Sequence, residues 1–195
     1  MYRTASLILL TLLATGCAAT RTSVIPPGAT LYANDSRYAN IRGSDLFGKV
    51  QVLTFFLPGA DGHRQALLAS ERVHRAYLQR DDVEVKAIAV SFSANIQPEG
   101  RLIHDLARWD TSMPAYWDRN AEIASAFNIG IGRATSTSRG TSIQPFNHHP
   151  GRRIRNMPLT VVLDRDGKVA YRQRGGAASP LHDRRLMQAV LTASQ

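Results

Sequence analysis

A chain of 195 residues, 44% of them hydrophobic and 20% charged, has the composition of a single globular domain with a sizeable core. The formal net charge of +9 is concentrated after Gly130, where eleven Lys or Arg residues stand against three acidic ones. Such an excess favours anionic partners or simply maintains solubility. Cys17 is the only cysteine, which excludes a disulfide within the chain and, if Cys17 is modified, every thiolate-based reaction or metal site.

The N-terminus has the pattern of an export signal. Arg3 precedes an apolar run over residues 5–14, which is too short to span a membrane and matches the h-region of a signal peptide. The segment ends in Gly16-Cys17 and resembles the lipobox of bacterial lipoproteins, except that Ala14 stands where leucine is usual. The sequence therefore predicts a signal peptide over residues 1–16 and a lipid on Cys17; an ordinary cleaved signal is the alternative.

The lipoprotein resemblance also implies a location. Because Ala18, and not aspartate, follows the cysteine, the protein is expected at the outer membrane, anchored by its lipid and facing the periplasm. Residues 17–40, which include Pro26 and Pro27, are predicted to form a flexible tether. The folded domain is predicted to cover residues 41–195.

Residues 50–56 are a run of β-branched and aromatic residues, which predicts a buried strand. Pro58, Gly59 and Gly62 break this pattern, and the helical spacing of apolar residues over 63–79 then predicts an amphipathic helix. Residues 83–92 first alternate between apolar and charged residues and are then mainly apolar, as in a central strand of a parallel sheet. The predicted order is therefore β, α, β.

The middle of the domain is less regular. The sequence predicts a helix over residues 98–109, a short strand over 113–117 and a helix over 120–127 that Asn120 would cap. Residues 130–156 are rich in Gly, Ser, Thr and Arg, and are predicted to form a long basic loop that is either functional or disordered.

The last part of the chain predicts a hairpin followed by a helix. Two β-type runs, over residues 158–163 and 168–173, are joined by a turn that contains Asp166-Gly167. Apolar residues at helical spacing over 180–191 predict the closing helix.

This order of elements resembles the thioredoxin-like superfamily, in particular its membrane-tethered thioredoxin and peroxiredoxin relatives. The landmarks are Phe55-Phe56 before the turn and the run MPLTVVLDRDGK over residues 157–168. The resemblance covers about residues 46–191 and implies an α/β domain in which helices flank a central mixed β-sheet, with 130–156 as an insertion before the hairpin. It also implies that Pro158 is a cis-proline facing the active-site turn.

The chain departs from that family at the residues that carry the reaction. The family's Cys-x-x-Cys motif would fall on Ala60, Asp61, Gly62 and His63, and a peroxidatic cysteine is missing too. We therefore expect a degenerate active-site turn: the chain should have the thioredoxin-like fold but not the family's thiol reaction. We also expect no cofactor. His63, near Asp61 and at a helix start that would lower its pKa, could act as a base, but no nucleophile accompanies it.

Three histidines leave a metal site open as a hypothesis. The copper-handling branch of the same fold uses a histidine from a later loop, and this chain offers His63 in the turn with His148 and His149 in the basic loop. Neutral imidazoles bind Cu(II) or Zn(II) without thiolates, whereas the arginines nearby repel a cation.

The basic loop also offers guanidinium groups that could dock phosphate or carboxylate groups in a bidentate manner. They belong to Arg133, Arg139, Arg152, Arg153 and Arg155. Because no nucleic-acid-binding module is recognisable, we expect an anionic lipid, a glycan or a protein as partner, and no nucleic acid. A solvated loop without a partner is the alternative.

The leading interpretation of the sequence is a redox-inactive, thioredoxin-like lipoprotein that acts as a periplasm-facing binding or scaffold module. The alternatives are a divergent thiol-disulfide or peroxide oxidoreductase, and a His-based carrier of copper or zinc.

Overall fold

The computed structural model describes residues 25–91, 99–119, 121–133, 152–175 and 180–195. The strands are β1 (Thr30–Ala33), β2 (Ile41–Arg42), β3 (Val50–Phe56), β4 (Val83–Val90), β5 (Ala115–Asp118), β6 (Gly130–Arg133), β7 (Arg152–Arg155), β8 (Leu159–Leu163) and β9 (Val169–Arg174). The helices are α1 (Arg64–Tyr77), α2 (Glu99–Arg108), α3 (Glu122–Ala126) and α4 (Pro180–Ala193). Short 3-10 turns occupy Gly43–Leu46 and Asp61–His63.

Seven strands form one mixed sheet in the order β2-β1-β5-β4-β3-β8-β9. Strand β3 pairs in parallel with β4, and β4 with β5, whereas the other pairs are antiparallel. All seven residues of β3 are buried. This explains why the sequence of β3 shows no alternation, because a strand covered on both faces has no solvent side for polar residues.

The core consists of two apolar layers, one on each face of the sheet. Val52 and Phe56 pack with side chains of α1, α2 and α4 on one face. Leu53 and Phe55 pack on the other face with residues of β1, α3 and β8. The sheet and its helices confirm the predicted thioredoxin-like α/β class, in which helices flank a central mixed sheet.

The structure corrects the N-terminal boundary of the domain. Ile25, Ala29 and Leu31 are buried in the second layer, and β1 pairs with both β2 and β5. The tether predicted over residues 17–40 is therefore wrong from residue 25 onward. These three apolar side chains dock the segment on the core, although its prolines and glycine are typical of a linker. Residues 1–24, with Cys17, lie outside the described part of the chain.

The basic loop also differs from its prediction. Strands β6 and β7 pair in antiparallel fashion at the two ends of 130–156, from Gly130↔Arg155 to Arg133↔Arg152. The insertion therefore begins and ends as a two-stranded ribbon rather than as loop. Four of the five candidate arginines lie on these strands, while Arg139, His148 and His149 lie outside the described residues.

Smaller corrections concern the ends of elements. Strand β5 ends at Asp118 and not at 117, and α3 begins at Glu122. The carboxylate of Asp118 accepts hydrogen bonds from the backbone N–H groups of Glu122 and Ala124 at 2.9 and 2.7 Å. Asp118 thus caps α3, the role that the sequence assigned to Asn120. Within the described ranges, no helix is long and apolar enough to cross a membrane.

Candidate functional site

The turn at the carboxyl end of β3 occupies the place of the predicted active site. The N–H of Ala60 donates to the carbonyl of Leu57 at 3.2 Å, and the N–H of His63 donates to the carbonyl of Ala60 at 2.8 Å. Gly59 has φ +81°, a left-handed conformation that favours glycine. Two successive turns therefore carry the chain from β3 into α1, with Ala60 and His63 at the two ends of the second one.

His63 is a buried part of this turn. Its side chain is only 1% exposed, and its Nδ1 accepts a hydrogen bond from the N–H of Leu57 at 3.0 Å. Burial lowers the pKa of His63 to about 4. The imidazole is therefore neutral near pH 7, with its proton on Nε2 and with Nδ1 already occupied. The sequence predicted a lowered pKa but assigned it to the helix dipole, and the cause is burial instead.

A carboxylate of α2 holds the same turn from the other side. Asp105 is buried, and its Oδ2 accepts a hydrogen bond from the N–H of Gly59 at 2.5 Å. At the surface, Arg108 Nη1 lies 3.3 Å from Asp61 Oδ1. Asp61 is therefore engaged with α2. The hypothesis that His63 acts as a base together with Asp61 finds no support in this contact.

Asp105 is a residue that the sequence interpretation missed. It stands between Leu102 and Trp109 at i+3 and i+7 spacing, which is the apolar face of a helix. A lone acid on such a face was the available signal, because a buried carboxylate needs hydrogen-bond donors. Trp109 packs against Phe56 at a centroid distance of 6.5 Å. Its indole Nε1 is the one buried side-chain nitrogen or oxygen that lacks a hydrogen-bond partner in the described part of the protein.

Pro158 lies at the same end of the sheet as the turn. The Met157–Pro158 peptide bond is cis. The pairing of Leu159 with Phe55 places Pro158 at the carboxyl end of β3, and the carbonyl of Pro158 accepts a hydrogen bond from the N–H of Gly175 at 2.8 Å. The fold therefore brings the turn and the cis-proline to one edge of the sheet.

Asp118 is a second buried carboxylate at this edge. It ends β5 opposite Val90, the last residue of β4, and it is 1% exposed. Burial raises the pKa of Asp118 to about 6, although the N–H groups at the start of α3 oppose that rise. The side chain is therefore ionised near pH 7 and protonated below about pH 6.

Of the three predicted metal ligands, the structure describes only His63. His63 is buried and bonded to the backbone, and His148 and His149 lie outside the described residues. Among the residues that the structure describes, no group of three or more His, Cys, Asp or Glu side chains could hold a metal ion. The carrier hypothesis thus stays a prediction that rests on the sequence.

The described turn provides no nucleophile. Ala60 and His63, at the positions where the family has its two thiols, place a buried methyl group and a buried imidazole there. The buried hydroxyl groups of Thr54 and Ser70 hydrogen-bond to each other at 2.5 Å. The contacts of Asp105 with Gly59 and of Arg108 with Asp61 connect the turn to α2.

Comparisons with known proteins agree with the fold. A bacterioferritin comigratory protein of Xanthomonas campestris, described for its alkyl peroxide reduction, is 13% identical with a TM-score of 0.60, covering 89% of this chain and 100% of that chain. DsbF of Mycobacterium tuberculosis is 13% identical with a TM-score of 0.57, covering 87% and 98%. A secreted disulfide oxidoreductase of the same organism, homologous to E. coli DsbE, is 16% identical with a TM-score of 0.55, covering 84% and 94%.

No family model matches the chain, and no curated protein matches it. The chain has the thioredoxin-like fold, and the solved structures that share it include disulfide and peroxide oxidoreductases. At these low identities the likeness concerns the fold alone.

Proposed function

We propose that this protein is a thioredoxin-like binding or scaffold module that has no thiol chemistry and is held at the cell envelope by a lipid on Cys17. The observation that carries this proposal is the turn of residues 57–63. Its two thiol positions are filled by Ala60 and His63, and the only cysteine of the chain lies far away in sequence, at the predicted lipidation site. The reactions of the similar oxidoreductases need a thiolate, which this turn cannot supply.

The hydrogen bonds of the turn support the same proposal. His63 is buried and its Nδ1 accepts the N–H of Leu57, and the buried Asp105 accepts the N–H of Gly59. Both side chains are therefore engaged in holding the turn in place and not in a reaction.

Reduction of insulin disulfides tests the absence of thiol chemistry. We expect the protein to show no turnover above buffer. We expect the double variant Ala60→Cys/His63→Cys to gain turnover. The hydrogen bond from His63 N–H to Ala60 C=O closes a four-residue turn, and the ends of such a turn lie within about 7 Å, which a disulfide can bridge.

The single variant Ala60→Cys is the matched control, since one thiol cannot cycle between dithiol and disulfide. Near-ultraviolet circular dichroism before the assay verifies that each variant is folded. Turnover by the unmodified protein, with insulin or with a peroxide as substrate, would overturn the proposal in favour of the divergent oxidoreductase.

The anchor is part of the proposal and rests on the lipobox resemblance around Cys17. The basic excess after Gly130 would then face anionic headgroups of the same membrane, which adds an electrostatic contribution to attachment. A lipid chain and a basic surface differ in their response to salt, because about 1 M salt reduces the Debye length to about 3 Å.

We therefore expect the full chain to stay in the membrane fraction in about 1 M salt, and the Cys17→Ser variant to be released under that condition. The variant Ser23→Ala, which changes a nearby hydroxyl residue, is the control and should remain attached. Retention of Cys17→Ser after the salt wash would contradict lipid anchoring.

A further inference from the structure

Strand β4 has an unpaired edge over its first half. Its pairing with β5 begins only at Ala87↔Ala115, so residues 83–86 have β3 on one side and no strand on the other among the described residues. In a parallel strand, alternate residues direct both N–H and C=O to the same side. The N–H of Ala87 donates to the carbonyl of Pro114 on the β5 side, and therefore Val83 and Val85 direct their N–H and C=O groups to that side too.

These four backbone groups have no hydrogen-bond partner within the described ranges. By contrast, Glu84 and Lys86 direct their backbone groups to β3, with which they are paired. Val83 and Val85 are nevertheless almost fully buried. Unpaired backbone groups at a shielded site favour a partner that supplies the missing hydrogen bonds.

The segment before β5 is held away from this edge. Extending β5 backwards would bring Ser112 and Met113 alongside β4, but both residues donate their N–H groups to the carboxylate of Glu71 on α1, at 3.0 and 3.1 Å. The next residue, Pro114, has no N–H to donate. The gap beside β4 is therefore fixed by the structure.

A cavity of about 450 Å³ occupies this gap. We call it the β4-edge slot, and its lining includes Tyr38, Tyr77, Leu78, Val83, Val85 and Lys86. The two sides of the slot differ in chemistry. Tyr77 and the 61% exposed Leu78 form an apolar side at the end of α1, whereas Tyr38 and Lys86 belong to a polar side on the opposite face of the sheet.

The charged side chains that line the slot balance one another in formal charge, since Arg80 and Lys86 stand against Asp45 and Glu84. Lys86 pairs with Glu84 and donates to Gln51 at 2.6 Å, and Arg80 pairs with Asp82 at 2.6 Å. With no net charge among these groups, the slot favours an uncharged occupant over an anion or a cation.

We propose that the β4-edge slot binds an extended, uncharged peptide segment of a partner protein as an added strand beside Val83 and Val85. Alternate side chains of that segment, apolar and polar in turn, would face Leu78 and Lys86 on the two sides of the slot. Backbone hydrogen bonds supply the affinity and the two-sided lining supplies the selectivity, as in other cases of strand addition. The inference deepens the proposed function, since it assumes a binding module and gives it a ligand class.

Hydrogen exchange, followed by NMR on the intact folded protein, tests the proposal with the terminally blocked, uncharged peptide TVTVTVT as probe. Without peptide, the amides of Val83 and Val85 should exchange at least about tenfold faster than those of Glu84 and Lys86, because only the latter are paired. With saturating peptide, exchange at Val83 and Val85 should slow at least about tenfold, while Glu84 and Lys86 should change little.

Two controls separate strand addition from other binding. The same peptide methylated at its internal amide nitrogens should give much weaker protection, since it cannot donate to the carbonyls of Val83 and Val85 and its methyl groups obstruct strand pairing. Leu78→Gln should weaken binding, whereas Leu191→Gln, which changes a 42% exposed leucine on α4, should not.

Unchanged exchange at Val83 and Val85 with the peptide at millimolar concentration would overturn this proposal, as would equal protection by the methylated peptide. Either result leaves the insulin assay unaffected. A failure of the slot is therefore distinguishable from a failure of the proposed function.

Discussion

Replacing Glu71 by alanine is expected to lower the free energy of unfolding by about 2 to 4 kcal/mol. The carboxylate of Glu71 accepts hydrogen bonds from the N–H groups of Ser112 and Met113, from Ser112 Oγ at 2.7 Å, and from Arg75 Nε at 2.8 Å. Truncation leaves the N–H of the buried Met113 without an acceptor, and an unsatisfied buried donor costs more than the bond itself contributes.

Urea unfolding measures the change. The free energy of unfolding should fall less in Glu71→Gln than in Glu71→Ala, since one side-chain oxygen remains as an acceptor. Asp166→Ala removes an exposed acid of the β8–β9 turn and should stay within about 0.5 kcal/mol of the unmodified protein. A loss from Glu71→Ala no larger than that from Asp166→Ala would show that Glu71 does not hold the segment before β5.

The pKa of Glu71 gives this effect a pH dependence. Burial opposes ionisation, but the hydrogen bonds from Ser112, Arg75 and Met113 outweigh it and lower the pKa. A carboxyl whose pKa is lower in the folded state contributes stability above its unfolded pKa, and this contribution is lost as the pH falls through the folded pKa. The difference between Glu71→Ala and the unmodified protein should therefore shrink below about pH 4.5.

A second expected result concerns the two buried titratable groups at the carboxyl edge of the sheet. Between pH 4.5 and pH 7, the stability of His63→Asn should fall by about 2 kcal/mol, and that of Asp118→Asn should rise by about 2 kcal/mol. The unmodified protein should show little change over the same range, since the two effects oppose each other.

The signs follow from the direction of each pKa shift. Burial lowers the pKa of His63 to about 4, so the unfolded chain binds more protons than the folded one up to about pH 6.5, and stability rises with pH. Burial raises the pKa of Asp118 to about 6, so the folded chain binds more protons above about pH 4, and stability falls as the pH rises towards 6. In each variant, the pH dependence of the unfolding free energy therefore comes from the group that remains.

Asparagine is the substitution of choice because it retains an oxygen near the position of the lost acceptor. In His63→Asn that oxygen can accept the N–H of Leu57, and in Asp118→Asn it can accept one N–H at the start of α3. The slope of unfolding free energy against pH is the readout, so a constant loss of stability does not obscure it. If the unfolding free energy changed with pH in the same direction in both variants, the opposite pKa shifts of His63 and Asp118 would be contradicted.

The sequence determined the core elements of the fold, because their patterns are local. The apolar run of β3, the helical spacing of α1 and the Asp-Gly turn of the β8–β9 hairpin were each predicted to within a few residues. The resemblance around residues 157–168 added the cis-proline. The cysteine count, which needs no structure, is the reason that the proposed function excludes thiol chemistry.

The tertiary structure decided which polar residues are buried and what they bind. In the sequence, Glu71, Asp105 and Asp118 are acids like many others, and their roles depend on donors that lie up to 46 residues away. The same holds for the docked segment after residue 25, whose prolines favoured a tether. Local composition cannot show that a distant surface is available to receive such a segment.

The sequence by itself determined a thioredoxin-like domain without a redox pair, since strand and helix periodicity and the absence of cysteine can be read residue by residue. Only the tertiary structure decided that Asp105 of α2 bonds to the turn of residues 57–63, and that residues 83–86 of β4 have no neighbouring strand besides β3 among the described residues. Both features are set by packing between segments distant in sequence, which no local pattern encodes.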